Sequence, residues 1–463
     1  MKRLKIGIVI GIFILVIGMI LIRNYPGRAQ DNDGAGKVFS EITLCDSSGN
    51  GFILTNDVVI DNSDNIYVLG GFNGSASVIA NSGMINTSGE EQWRSYIIKL
   101  NDAGIVQWTL IFDPKIYGSG MALGPGDGEL YVVGEFPKGD IDFDPGETVD
   151  SKNGSYDTNA FLTRIDSSGK YKRTKTWNGA SASVVACDND GFIYVGGEIT
   201  PDPDSLRVSD SGLVIDDKNM TLESRGGSDN LVIKFDSQGD SKWLRVWGGI
   251  GDEFATGIAI DKGGAIYIAS YTEALYPWAG MKSESGEAGN FPVASVGLFN
   301  NDSNKVLNVG QPSWEGERPV LTCSKSDTNQ NVYVLSSNPF RISYFDKDRD
   351  YSPFWLDELT DVEISVIAGG SGDRAIVCGY REAKDTDDSS SEADRPFFNS
   401  RTPFVAYLNQ IGEMEPIADW GSKDYFTSVD HASVSADGMI AIIGGRFDSD
   451  DITGGQSYLV IIK

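Results

Sequence analysis

The chain has 463 residues, 40% of them hydrophobic, which is enough to bury a large core. Its net charge of −28 repels nucleic acid and anionic lipid, so DNA or RNA as a partner is excluded from the expectation. A single histidine, His431, rules out a His-rich zinc site within one chain, and the 55 glycines favour many tight turns over long helices.

The first element is "IGIVIGIFILVIGMILI", residues 6–22, preceded by Lys2, Arg3 and Lys5 and followed by Arg23. As a helix it spans roughly 25 Å, and flanking Lys and Arg cover the remainder of a hydrocarbon core. No A-x-A-like cleavage site follows, so the segment reads as an uncleaved membrane anchor, with a cleaved export signal as the alternative. Both readings place the rest of the chain outside the cytoplasm. Residues 1–30 therefore form an anchor or signal with its linker, and residues 31–463 the folded body.

From residue 64 one string recurs: "DNIYVLGGF", "GELYVVGEF", "GFIYVGGEI", "GAIYIASYT". Its tyrosines are Tyr67, Tyr131, Tyr194, Tyr267 and Tyr333, with Ile376 and Ala441 in the same slot of two further copies. Three positions later stand Gly70, Gly134, Gly197, Ser270, Ser336, Gly379 and Gly444. An apolar run and an Asp/Asn/Gly turn precede each copy, which is a β-hairpin signal. A third run follows ("YIIKLN", "FLTRID", "LVIKFD"), then a turn with Gly104, Gly169, Gly239 or Gly412, then a fourth run ending on Phe112, Trp177, Trp247 or Trp420. Four strands in each of seven units predict an all-β, seven-bladed β-propeller of four-stranded antiparallel blades. The last unit stops after its third strand, and the unassigned run "KVFSEITLCD", residues 37–46, is expected to supply its missing outer strand. The large Tyr and Trp side chains are read as packing between blades, and Cys45, Cys187, Cys323 and Cys378, too widely spaced for a metal motif, as buried free thiols.

These residues resemble the SBBP-type repeat of seven-bladed propellers in exported bacterial proteins. The resemblance is strongest in "LVIKFDSQGDSKWLRVWGGIGDEFATGIAIDKGGAIYIAS", residues 231–270, and fades in copies four to six. It implies the fold and export and no single activity.

Candidate sites lie in the long connections from second to third strand, which all emerge on one face. In "GDIDFDPGE" the alternating Asp140, Asp142 and Asp144 are candidate calcium ligands, because alternate carboxylates in a loop can converge on Ca²⁺, although no EF-hand pattern is present. The turns "DNDG", "DSSG" and "DSQG" read as ordinary turn chemistry. Tyr276 and Trp278 in "ALYPWAG" are candidate ligand-loop aromatics, with packing as the other reading. His431 lies in the innermost strand of the last unit, with Asp430 beside it, and no G-x-S-x-G nucleophile motif occurs. No catalytic residue is therefore assigned. The expected function is that of a membrane-tethered binding scaffold at the cell envelope, contacting a protein or glycan. A carbohydrate-active hydrolase or lectin using acidic and aromatic residues at the funnel is the alternative.

Overall fold

The computed structural model describes residues 39–463 except 48–50, 88–91, 127, 200–212, 216–217, 221–226, 249–250, 262, 273–292, 300–305, 309–321, 326–331, 338–339, 346–350, 356–361, 371–373, 383–400, 410–411, 421–424 and 449–454. Residues 6–22 thus lie outside the described residues, and among those described no helix is long and apolar enough to cross a membrane. Every regular element described is a β-strand.

Six sheets are self-contained four-stranded antiparallel blades. Blade one is Ile53–Ile60, Ile66–Asn73, Trp93–Leu100 and Val106–Ile111. Blades two to six begin with the innermost strands Tyr117–Leu123, Val184–Cys187, Glu253–Ile260, Thr322–Lys325 and Val362–Gly369. The innermost strands are neighbours in sequence order, and His431–Val434 lies against Ile53–Ile60, so the fold is a closed β-propeller.

The sheet that closes the ring departs from the expected four-stranded unit, because it has seven strands. Ile440–Asp448 pairs with Gly455–Ile462, which pairs with the N-terminal strand Phe39–Ser47 from Phe39↔Ile462 to Asp46↔Gln456. The chain's beginning therefore covers the edge that its last strand would leave open. On the inner side, two short strands, Tyr425–Thr427 and His431–Val434, share the work of one. On the outer side, a hairpin of Ala76–Ala80 and Gly83–Thr87, drawn from the second-to-third connection of blade one, pairs with Cys45–Ser47. This hairpin buries Val78 and Ile79 in the same apolar cluster as Ile42, Leu44 and Leu459. A connection that pattern reasoning assigns to a free contact surface is instead a strap across the seam.

The repeated residues have definite roles. Asp61 Oδ1 accepts the Ser63 and Asn65 backbone N–H groups of the first hairpin turn, and Tyr67 donates its hydroxyl to Asp61 Oδ2 at 3.0 Å. Asp188 and Tyr194 repeat this in blade three at 2.9 Å. The tyrosine is thus a buried brace with its polar tip satisfied at the turn. In the third-to-fourth turns, Asp166 and Asp236 each accept two backbone N–H groups, and Gly169 and Gly239 take φ of +84° and +75°. Trp177 packs on Phe235 of blade three at 5.6 Å between ring centroids, and Trp247 on Phe299 of blade four at 5.0 Å. Both are blade-to-blade packing. Cys45, Cys187 and Cys378 are free thiols.

Candidate functional site at the axial mouth

The second-strand glycine explains how the axis is built. A Cβ on Gly134 would sit 1.9 Å from the Tyr117 carbonyl oxygen. On Gly379 it would sit 1.9 Å from that of Glu363, on Gly444 1.9 Å from that of Ser428, and on Gly197 2.3 Å from that of Ser181. The innermost strand presses onto its neighbour there because it carries a β-bulge two residues further on. Register shifts leave Asn56, Ser119, Thr256 and Ser365 unpaired in blades one, two, four and six. Ser183 and Asp430 take the same place just before the innermost strands of blade three and the closing sheet, each donating its backbone N–H to the carbonyl of the residue before the glycine.

Each of these six residues is polar and half-buried, while both flanking residues are more buried at Ser119 and Thr256 and at least one is so at the others. The free edge of an innermost strand faces the axis, so the six form a polar ring around one mouth of the channel. Inside that ring, Thr55 Oγ1 donates to Asp430 Oδ2 and Asn56 Nδ2 donates to the Gly118 carbonyl, which ties adjacent strands together.

Titratable groups sit at the same level. Asp57 and His431 take equivalent positions, one residue after the ring residue, in adjacent innermost strands. Asp57 accepts the Met121 backbone N–H from blade two at 2.8 Å and that of Val58 at 2.8 Å, yet burial raises its carboxyl to about 7. Burial alone lowers His431 to about 4. Its side chain is half-buried, and the desolvation that this brings disfavours the charged imidazolium. Asp430 is raised by burial, against the hydrogen bonds from Thr55 and Ser428. Glu198 accepts from Ser183 Oγ at 3.2 Å and is raised to about 7 by burial, with repulsion from Glu135 of blade two adding to it. Burial also raises Glu135. The mouth therefore offers carboxyls, Asp57 and Glu198 foremost, that hold a proton more readily than exposed ones, beside hydroxyl and amide groups. Such a set both donates and accepts hydrogen bonds.

At the other end of the same strands the axis widens into a cavity of about 330 Å³. Structurally equivalent residues line it, among them Val59, Ala122, Ala186, Ala259, Ala368 and Ser433. Mostly small side chains at this level leave the axis open where the six lining strands converge. Cys187 borders the cavity, and burial raises its thiol, which disfavours the reactive thiolate.

The structure does not bring the calcium candidates together. Asp140 Oδ1 accepts from Asn153 Nδ2, Asp142 Oδ1 from the backbone of Asp144 and Asp150, and Asp144 from Gly146 N and Thr148 Oγ1. Among the described residues no three His, Cys, Asp or Glu side chains are grouped to hold a metal. This loop folds back on its blade, with Phe143 fully buried 5.2 Å from both Phe136 and Phe161. Tyr276 and Trp278 lie outside the described residues.

The ring residues were not singled out from sequence, although a signal existed. Each polar residue precedes the second-strand Gly or Ser at a nearly fixed spacing: 56 and 70, 183 and 197, 256 and 270, 365 and 379, 430 and 444, with 119 and 134 one wider.

No family model matches the chain, and no curated protein matches it. Among solved structures, the chain is similar to the β-propeller domain of the Trilobed protease from Pyrococcus furiosus, with 7% identity, TM-score 0.46, and coverage of 90% of this chain and 96% of that one. It is similar to virginiamycin B lyase from Staphylococcus aureus, with 9% identity, TM-score 0.41, and coverage of 92% and 99%. It is also similar to the intramolecular trans-sialidase from Ruminococcus gnavus, with 7% identity, TM-score 0.40, and coverage of 89% and 95%. Likeness of this degree carries nothing about activity, and the fold rests on the strand pairing itself.

Proposed function

We propose that this chain is an exported, membrane-tethered propeller of the SBBP-repeat type, in which the seven-stranded sheet serves as the seventh blade. It acts as a binding scaffold at the cell envelope, and its contact surface is the polar mouth of the axis together with the surrounding second-to-third strand loops. The ligand is a polar group on a glycan or protein that exchanges hydrogen bonds with the ring. One observation carries this reading. Four innermost strands place a polar, half-buried residue at the same bulge, Ser183 and Asp430 take the equivalent place just before two more, and hydrophobic packing needs no polar residue there.

The test is thermal stabilisation of the full chain by soluble glycans, peptidoglycan fragments and Ca²⁺, since a ligand that binds the native state raises its melting temperature by mass action. A glycan or peptide fragment that stabilises the wild type should lose that effect in the Asn56→Ala, Ser183→Ala double variant. Stabilisation that the double variant leaves intact would remove the ring from the site. Stabilisation by Ca²⁺ that Asp140→Ala and Asp144→Ala abolish would support the calcium site instead.

A second reading, glycoside hydrolysis, is favoured by Glu135 and Glu198, two carboxyls on adjacent blades that are both raised in pKa. An acid held protonated near neutral pH beside a second carboxyl is what that chemistry uses. Release of a chromophore from aryl glycosides, lost in Glu198→Gln, is the corresponding assay.

A further inference from the structure

The strap hairpin ends the seven-stranded sheet. Among the described residues Gly83–Thr87 pairs only with Ala76–Ala80, so its other edge carries unpaired backbone N–H and C=O groups. Natural sheets blunt such edges with charge, proline or a bulge. Other outer strands of this protein do so: Tyr171–Asn178 carries Lys172, Arg173 and Lys175, Ser241–Trp247 carries Lys242 and Arg245, and Tyr351–Trp355 carries Pro353. "GMINT" has none of these devices, and its register is regular along all five pairs from Ala76↔Thr87 to Ala80↔Gly83. Met84 and Ile85 are 47% and 37% exposed on it.

Electrostatics selects the occupant. A basic partner would be drawn to almost any part of a surface with net charge −28, whereas a second copy is repelled nearly everywhere. The run from Asn65 through Gly89 contains no Asp, Glu, Lys or Arg, and the edge strand lies inside it. Two copies can approach there without opposing charges of the same sign across the contact.

We infer that Gly83–Thr87 is a self-association edge, where two copies of this chain pair antiparallel about a two-fold axis and join their closing sheets into one continuous sheet. The arrangement is isologous, so each edge caps the other and the assembly stops at a dimer. A contact of one short strand is smaller than a standard interface, so the dimer is weak in dilute solution.

The test uses the full chain in detergent micelles, by sedimentation with the detergent density-matched. The expected result is a dimer at about 100 μM chain, in the range of weak interfaces. Ile85→Lys should convert it to monomer with an unchanged melting temperature, because the side chain is exposed. Ile85→Cys should yield a disulfide-linked dimer on mild oxidation where the wild type yields none. A wild-type monomer at that concentration, or a dimer that Ile85→Lys leaves intact, overturns the inference. The second outcome would assign association to another surface.

Discussion

Glu41 of the N-terminal strand and Arg446 of Ile440–Asp448 meet at 2.6 Å, spanning the strand Gly455–Ile462 that lies between them. Both side chains are largely buried, and Arg446 also lies over the Tyr458 ring at 5.6 Å. The pair ties the first strand of the body to the last sheet at the point where the ring closes. Removing one partner leaves the other charge poorly compensated in a buried site. Glu41→Ala should therefore cost about 3 kcal/mol of stability. Denaturant titration measures it, and a loss within about 0.5 kcal/mol, the level of ordinary surface substitutions, would show that closure does not depend on this pair.

The glycine at the bulge makes a sharper prediction. Gly134→Ala and Gly379→Ala would each push a Cβ to 1.9 Å from a backbone oxygen that cannot move without breaking the ladder. Each should cost at least about 2–3 kcal/mol, as overpacking at a rigid site does. Gly126, exposed and with nothing within 4 Å of its would-be Cβ, is the control, and Gly126→Ala should be neutral. Equal melting temperatures for Gly134→Ala and Gly126→Ala would show that the close approach is not a constraint.

The turn braces are testable as a pair. Asp188→Ala removes the acceptor for Tyr194 and for two backbone N–H groups. The buried Tyr194 hydroxyl loses this acceptor and the turn loses its anchor, so the loss should be about 2–3 kcal/mol. Tyr194→Phe alone should cost less, about 1 kcal/mol, and a double-mutant cycle should show coupling above about 0.5 kcal/mol. A coupling of zero would mean the hydroxyl and carboxylate act independently.

Two groups at the axis titrate in opposite senses. Asp57, raised to about 7, holds its proton longer in the folded state than in the unfolded one, so its contribution is lost as pH rises from about 4 through 7. His431, lowered to about 4, stays neutral in the folded state where the unfolded chain already binds a proton. Its contribution is therefore lost as pH falls from about 6.5 through 4. Asp57→Asn should reduce the loss of stability between pH 5 and 8, by at most about 3 kcal/mol, because contact of the carboxyl with the channel trims the effect. His431→Gln should reduce the loss between pH 6.5 and 4 by about 2–3 kcal/mol. Urea midpoints at pH 4.5, 6 and 8 for the three proteins decide this. Parallel pH profiles for wild type and Asp57→Asn would contradict the assignment.

Much of the architecture is legible in the sequence because it is periodic. The Tyr67 and Tyr194 strings, the Asp166 and Asp236 turns and the Trp177 and Trp247 positions all perform one local task repeated at the same place in successive blades. The pairing of the N-terminal run with the last strand was also legible, since a missing strand and an unassigned one complement each other. The strap was not legible. Residues 76–87 read as any polar and apolar loop, and nothing local says that their partner is Cys45–Ser47. The acidic loop at Asp140–Asp144 was only partly legible, because the string does not show that its carboxylates accept hydrogen bonds from their own backbone and neighbouring side chains. The axial ring was hidden because a bulge breaks the alternation by which strands are read, so its residues fall out of phase with both faces.

The strap also bears on how such a ring is made as the chain grows. Phe39–Ser47 is synthesised long before Gly455–Ile462, its principal neighbour, and a naked strand waiting through that interval invites mispairing. Ala76–Ala80 emerges only a few dozen residues later and pairs with Cys45–Ser47. Pairing with this hairpin would hold the nascent strand in register for Gly455–Ile462, which the chain supplies much later.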